Sequence, residues 1–242
     1  MLFKFAIIYT EVIEKCYITG EDHTMKKFEQ PDFDIFTFVT HDVVTTSTEP
    51  TTEDCDDGWD TPWKPVIYLY PEEETEVDVK LEVEGGLGCT YPAYKDGWSV
   101  TAKPDGTIID ENGRTYYCLF WEGAGPQKYD LSKGFVVKGV DTAEFLEKTL
   151  AHLGLNEKEA NEFIIFWLPR MEQNPYNLIT FHTAEYEQKA KLDITPKPDS
   201  ILRVFMTFKP LNKPVTVEPQ TLETFERKGF AAIEWGGLIV SD

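Results

Sequence analysis

The sequence predicts an α+β fold, with a mostly antiparallel sheet of eight or more strands and about two short helices near residues 142–163. Residues 76–83 alternate strictly between polar and apolar side chains, which is typical of a half-buried strand. Turn-forming residues separate several other short apolar runs, and only two segments carry a helix-capping pattern. Hydrophobic residues make up 41% of the 242, which is enough to bury a sizeable core.

The strands follow from these patterns. The alternating segment places four apolar side chains on its buried face: Val77, Val79, Leu81 and Val83. Pro104, Asp105 and Gly106 predict a hairpin turn between residues 98–103 and 107–110, and Asn112-Gly113 predicts a turn into a strand over residues 114–121. Other predicted strands cover residues 66–70, 176–183, 201–208 and 231–235. Prolines flank residues 66–70, which favours a short strand or an edge strand there.

Both predicted helices begin at a capping motif. Asp141, with Glu144 three residues later, precedes a helix over residues 142–153 that Gly154 can terminate. Asn156 and Glu159 form the same pattern at the second helix. Residues 163–168 are rich in β-forming side chains and stop at a proline, so the sequence favours a short second helix that runs into a strand.

The first 62 residues differ in character from the rest. Residues 1–41 contain two apolar, β-rich runs and predict a small appendage. Residues 42–62 are rich in threonine and hold seven acidic residues with no lysine or arginine, a composition typical of an extended linker. Residues 63–242 then form the main predicted α+β domain.

Charge and cysteine content exclude several classes of function. A formal net charge of −20 disfavours binding to nucleic acids and to anionic lipid surfaces. No apolar run approaches the roughly 20 residues that cross a bilayer, and no cleavage site follows the apolar N-terminus. We therefore expect no membrane insertion and, by default, a soluble cytoplasmic protein. The sequence leaves the oligomeric state open.

Metal and cofactor sites have no support in the sequence. The four histidines and four cysteines show no spacing typical of zinc ligands, and the chain has no phosphate-binding loop or dinucleotide fingerprint. We therefore expect no metal and no cofactor. Cys89 and Cys118 lie on two predicted strands, where a free pair and a disulfide both fit the pattern.

Several motifs resemble those of a family of uncharacterised, mainly bacterial proteins. They occur in one order at residues 64–71, 90–92, 96–98, 103–107, 119–123, 134–139, 167–169, 203–206 and 234–237. The first reads KPVIYLYP, and later ones read DGW, LFWEG and EWGG. The resemblance covers roughly residues 62–238 and implies one domain over that span, preceded by a variable region. It implies no activity.

Two of these motifs carry the candidate site residues. Glu122 follows Trp121, and Glu234 precedes Trp235, each at the predicted end of an apolar strand with glycine close behind. Paired carboxylates serve as acid and base, or as acid and nucleophile, in glycoside hydrolysis, and an indole beside a carboxyl group can raise its pKa. The alternative is that the tryptophans are core residues, that the glutamates cap loops or pair with Arg or Lys, and that the glycines form turns.

The region over residues 64–123 is rich in tyrosine, which combines a rigid ring with a hydrogen-bonding hydroxyl and suits carbohydrate or peptide recognition. Its tyrosines are Tyr68, Tyr70, Tyr91, Tyr94, Tyr116 and Tyr117. The alternative is sheet propensity alone. We favour a non-catalytic binding or interaction domain, with Trp121, Trp235, Tyr68 and Tyr70 as candidate contacts for a carbohydrate or protein partner. A glycan-directed hydrolase that uses Glu122 and Glu234, and a structural β domain of a larger assembly, remain the alternatives.

Overall fold

The computed structural model describes residues 63–123 and 128–240. The predicted N-terminal appendage and acidic linker lie outside these residues. The described chain begins with strands β1 (Trp63–Tyr70), β2 (Thr75–Val83), β3 (Leu87–Tyr91), β4 (Trp98–Ala102), β5 (Ile108–Ile109), β6 (Thr115–Tyr116), β7 (Leu119–Gly123) and β8 (Phe135–Lys138). Next come helices α1 (Thr142–Leu153) and α2 (Glu157–Met171), strand β9 (Tyr176–His182), helix α3 (Ala184–Lys189), and strands β10 (Ala190–Thr195), β11 (Ser200–Leu211) and β12 (Ala231–Ile239).

The strands form two sheets. The larger has seven strands in the order β3-β7-β1-β12-β11-β9-β8, and the smaller has five in the order β10-β2-β4-β5-β6. Among the strand pairs of the described residues, β11 and β12 run parallel and the others antiparallel. The predicted α+β class with a mostly antiparallel sheet is therefore confirmed.

The seven-stranded sheet lies between two other layers. Helices α1 and α2 cover one side of it, which we call the helix face, and bury Tyr68, Trp235 and Phe208 there. The five-stranded sheet packs on the other side, which we call the inter-sheet face, where it buries Trp121 and Phe205. Alternation along each strand sends successive side chains to opposite faces, so these two cores are separated by the sheet itself.

Local sequence signals explain several elements. In β2, Val77 and Val79 are fully buried, whereas Leu81 and Val83 are partly buried against the same core. The β4–β5 hairpin turns at Gly106, which has a φ of 85° and lies so close to Tyr70 that a Cβ would stand 2.7 Å from its ring. The predicted boundaries of α1 are confirmed, with Gly154 in the left-handed conformation after it, but the side chain of Asp141 makes no capping hydrogen bond, so the predicted cap does not form.

The second helix is longer than the sequence predicts. A full capping box at Asn156 and Glu159 starts α2, which then continues through residues 163–168 and past Pro169 to Met171. The predicted change to a strand is wrong. Phe163, Trp167 and Met171 recur every four residues and are all fully buried on one face, so helical packing overrides the β propensity of the segment. No helix in the described part of the chain is long and apolar enough to cross a membrane.

Two strand predictions also need correction. Strand β1 lies inside the seven-stranded sheet and pairs with both β7 and β12, so it is not an edge strand. Pro65 is accommodated because the β1–β12 register shifts between Trp63 and Val66. The single strand predicted over residues 114–121 is instead two, since β6 belongs to the five-stranded sheet and β7 to the seven-stranded one. The chain changes sheets at Tyr117 and Cys118.

Candidate functional site

An open cleft of about 510 Å³ lies on the helix face over β1, β7 and β3, beside α2. We call it the aromatic cleft, and its lining residues are Lys64, Val66, Tyr91, Thr115, Tyr116, Tyr117, Cys118, Phe120, Glu122 and Phe166. Its floor follows from the sheet register, because Phe120 pairs with both Val66 and Tyr91, and such cross-strand partners share one face. The volume falls within the roughly 300–1,000 Å³ range of small-molecule sites.

Five of the ten residues that line the cleft are aromatic. The chain segment that passes from β6 to β7 contributes Tyr116 and Tyr117, β3 contributes Tyr91, and α2 contributes Phe166. Tyr91 and Tyr117 are 49% and 51% exposed, which is unusual for large rings and leaves both accessible to a ligand. The rings of Tyr91 and Tyr116 meet edge to face with centroids 5.6 Å apart, so each holds the other in place.

Three basic side chains stack on rings of the cleft. The Lys64 Nζ atom lies 4.9 Å from the Phe166 ring centroid, and the Lys158 Nζ atom lies 5.0 Å from that of Tyr117. The Arg114 guanidinium carbon lies 5.8 Å from the Tyr91 centroid and 5.6 Å from that of Tyr116. These cation–π distances hold three positive charges around the aromatic cleft.

Glu122 is the acidic residue of the cleft lining. Its side chain is half-buried, and it has no hydrogen bond or ion pair with any described residue. A carboxylate in that position keeps its full capacity to accept hydrogen bonds. It is therefore available to a ligand that brings hydroxyl or amine donors.

Cys118 lines the cleft as a protonated thiol. Burial raises its pKa to about 12, and the nearby Glu162 carboxylate adds to the rise, against the opposing effect of Lys64 and Lys158. Both Cys89 and Cys118 are free thiols, so the disulfide alternative is not formed. Because the thiolate is the nucleophilic form, Cys118 is not activated for covalent chemistry.

Thiol alkylation should reveal the low reactivity of Cys118. At pH 8, we expect iodoacetamide to label Cys118 in the folded protein about a hundredfold more slowly than a free cysteine with a pKa near 8.5. Its thiolate fraction is roughly two thousandfold smaller, and the higher nucleophilicity of a more basic thiolate offsets part of that difference. The exposed Cys89 is the internal control and should label quickly. Peptide mass spectrometry over time measures both rates, and equal labelling of the two cysteines in the folded protein would contradict the raised pKa.

The structure does not bring Glu122 and Glu234 together. Ile67 of β1 pairs with Leu119 on one side and with Glu234 on the other, so Glu234 points to the inter-sheet face. Glu122 is three residues after Leu119 and therefore points to the helix face. The two carboxylates lie on opposite sides of the sheet, and they do not form the shared cleft that the paired-carboxylate mechanism requires.

Glu234 instead belongs to a buried polar cluster. Its side chain is 1% exposed and accepts hydrogen bonds from Arg203 Nε at 2.5 Å and from Trp121 Nε1 at 2.9 Å. Arg203 also donates to the carbonyl oxygen of Ala190 at 2.6 Å. The predicted alternative of a carboxylate paired with arginine therefore describes Glu234.

The four aromatic residues predicted to contact a ligand lie outside the cleft lining. Trp121, Trp235 and Tyr68 are fully buried. Trp235 Nε1 donates to the Tyr68 hydroxyl at 3.0 Å, and that hydroxyl donates to Glu162 Oε2 at 2.6 Å. Tyr70 is half-buried and packs beside Gly106. Trp121, Trp235 and Tyr68 are therefore core residues, and Tyr70 is not part of the cleft lining.

Sequence reasoning identified part of the cleft. The tyrosine-rich region does contain Tyr91, Tyr116 and Tyr117, and Glu122 was a candidate. Lys64, Phe120 and Phe166 were missed as site residues, because their meeting depends on sheet register and on the full length of α2. No group of three or more metal-ligating side chains occurs in the part of the chain that the structure describes.

Comparison with known proteins gives a limited match. The chain is 51% identical over 63 residues to a Butyrivibrio fibrisolvens protein described as an "Uncharacterized protein in bglA 3'region", and the match covers 25% of this chain. It spans 65% of that relative, less than two thirds of its length. No protein-family profile matches the chain. No solved structure matches it either. Similarity to an uncharacterised bacterial protein, as the motifs predict, is therefore confirmed.

Proposed function

We propose that this domain is a non-catalytic binding module that takes its ligand in the aromatic cleft. The observation that carries the proposal is the clustering of partly exposed rings, above all Tyr91 and Tyr117, around one open cleft. Aromatic rings give a large contact area at low conformational cost, because each has only two rotatable side-chain bonds. Exposed rings that cluster in one patch, unlike apolar side chains exposed singly, are typical of an interaction site.

The groups around the cleft support binding rather than catalysis. Glu122 has no second carboxylate beside it in the described lining, since Glu234 lies on the other face of the sheet. The Cys118 thiol is protonated. His182 is buried and shares a hydrogen bond with Thr207, and His152 contacts the carbonyl oxygen of Leu222, so neither of these bases lines the cleft. General acid–base chemistry needs a base within hydrogen-bond reach of the reacting group.

Of the two expected ligand classes, carbohydrate fits the cleft better than protein. A sugar ring has an apolar face that packs on tyrosine and phenylalanine, and its hydroxyls supply donors for the Glu122 carboxylate. The cleft also presents the Thr115 side chain and several tyrosines, which offer further hydroxyl groups. A small number of polar groups among apolar walls is typical of a small-molecule site.

Blocking the cleft tests this proposal. Thr115 is exposed on the cleft wall, so Thr115→Trp should fill the cleft without disturbing the core. We expect glycan-array binding by the unmodified domain to fall at least about tenfold in Thr115→Trp, which is about 1.4 kcal/mol of binding free energy. The matched control is Thr216→Trp, at an exposed position outside the cleft, which should bind as the unmodified domain does.

The same array should carry peptides, and bound glycans should be checked for cleavage. Binding that survives Thr115→Trp, or an array with no ligand of either class, would contradict a binding cleft. Release of new reducing ends from a bound glycan would contradict the non-catalytic assignment. Circular dichroism of both variants shows whether the fold is retained.

A further inference from the structure

We infer that the ligand of the aromatic cleft is an acidic saccharide, in which the sugar rings carry carboxylate groups. The inference rests on the proposed binding function and adds the chemical class of the ligand. It is carried by three cations that surround the cleft, Lys64, Arg114 and Lys158, together with the Glu122 carboxylate in the lining, which pairs with no described residue.

These three cations have no carboxylate partner among the described residues. Each one contacts an aromatic ring, but none forms an ion pair. Many other lysines of the described chain do form ion pairs: Lys95, Lys103, Lys133, Lys148, Lys189, Lys191 and Lys228. Three cations without an ion pair to any described residue therefore lie around one cleft, where the Glu122 carboxylate of the lining and the nearby Glu162 carboxylate supply the opposite charge.

The charges close to the cleft decide which charged ligand groups it can pair with. Charges separated by more than about 8 Å are largely screened at physiological salt, so the net charge of −20 acts weakly at the cleft compared with its own cations. Contacts with the rings keep the flexible side chains of Lys158 and Arg114 at the edge of the cleft. A ligand carboxylate can therefore pair with them while the ligand's rings lie on the aromatic walls.

The Glu122 carboxylate makes the cleft favour an acidic saccharide over simpler anions. This carboxylate, which has no hydrogen bond or ion pair with a described residue, repels a bare anion such as sulfate, which brings no donor for it. A uronic acid unit brings hydroxyl donors for Glu122, a ring face for the aromatic walls and a carboxylate for the cations. An acidic peptide brings the carboxylates, but its aspartate and glutamate side chains provide no ring to stack on Tyr117 and Tyr91.

Calorimetric titration of the full chain with matched tetrasaccharides tests this class. The probes are oligogalacturonate, oligomannuronate and a hyaluronan tetrasaccharide, each with its methyl-esterified form, which keeps the ring and the stereochemistry but removes the charge. We expect at least one acid to bind tenfold or more tighter than its ester. We also expect that affinity to fall about tenfold in Lys158→Glu and in Arg114→Glu.

Lys213→Glu is the matched control, because it makes the same charge change at an exposed lysine outside the cleft, and it should leave the affinity unchanged. If acid and ester bind equally and both lose affinity in Thr115→Trp, the inference is overturned while the binding cleft stands. Failure of all three acids to bind also overturns it, as does binding of poly-glutamate in preference to them. Loss of affinity in Lys213→Glu equal to that in Lys158→Glu would place the acidic ligand elsewhere.

Discussion

Replacement of Glu234 by leucine is expected to lower the free energy of unfolding by about 3–5 kcal/mol, because it leaves the Arg203 guanidinium buried without its carboxylate. The Arg203 and Glu234 side chains are only 5% and 1% exposed, so water cannot replace the lost partner. The same change removes the acceptor of the Trp121 Nε1 hydrogen bond, which adds a second unsatisfied polar group to the inter-sheet core.

A double-mutant cycle distinguishes the ion pair from simple loss of packing. Arg203→Met combined with Glu234→Leu removes both charges and keeps apolar volume, so much of the lost stability should return. The exposed pair Lys148–Glu144 gives the control, since Glu144→Ala should cost less than about 1 kcal/mol. Urea unfolding measures all four variants. A double variant as unstable as the sum of its two single changes would show that the charges are not coupled.

The two Trp–Glu motifs illustrate how far sequence reasoning reaches. Both were correctly placed in strands of one sheet, but their side-chain order is opposite, with tryptophan first in one and glutamate first in the other. Alternation and register then put Trp121 and Glu234 on the inter-sheet face, while Glu122 and Trp235 face the helices. The contact that does form therefore joins Trp121 of the first motif to Glu234 of the second. It requires β1 to lie between β7 and β12, and no local sequence pattern predicts that strand order.

The elements that the sequence predicts best are those that depend on a few neighbouring residues. The alternation of β2, the β4–β5 turn, the glycine after α1 and the capping box of α2 each depend on neighbours within a turn or a strand. The C-terminal half of α2 and the separation of β6 from β7 depend instead on distant partners. Helix α3 and strand β10 were missed because their segment is largely polar, and only Tyr186, Ala190 and Ile194 are buried in it.

The candidate site likewise depends partly on local sequence and partly on distant partners. Tyrosine content pointed to residues 91–117, but the cleft exists because the chain changes sheets at Tyr117 and Cys118 and because α2 extends far enough to place Phe166 beside Lys64. Neither the change of sheet nor the length of α2 is indicated by a local sequence pattern. Ligand-facing and buried aromatics therefore could not be separated from sequence, since Tyr68 and Tyr117 belong to equally aromatic strand regions.

The glycines of the second Trp–Glu motif were predicted to turn the chain, and that prediction is wrong, because β12 continues through them to Ile239. At Gly237 an added Cβ would lie 2.4 Å from the Met206 carbonyl oxygen on the neighbouring strand and 2.7 Å from the ring of Trp167. Because Gly237 has no side chain, the Trp167 indole of α2 can lie directly on the sheet there. Gly236 is less confined, with the nearest atoms, those of Pro65, at 3.0 Å.

We accordingly expect Gly237→Ala to destabilise the domain by about 1–3 kcal/mol, toward the upper end, because rotation of a side chain cannot relieve a contact with a backbone oxygen. Gly236→Ala should cost less, since a shift of a few tenths of an ångström accommodates its Cβ. Adding Trp167→Phe to Gly237→Ala should recover no stability, because the Met206 contact remains and the smaller ring leaves a cavity. Equal midpoints of urea unfolding for the two alanine variants would refute this account of why the α2 indole can pack against β12.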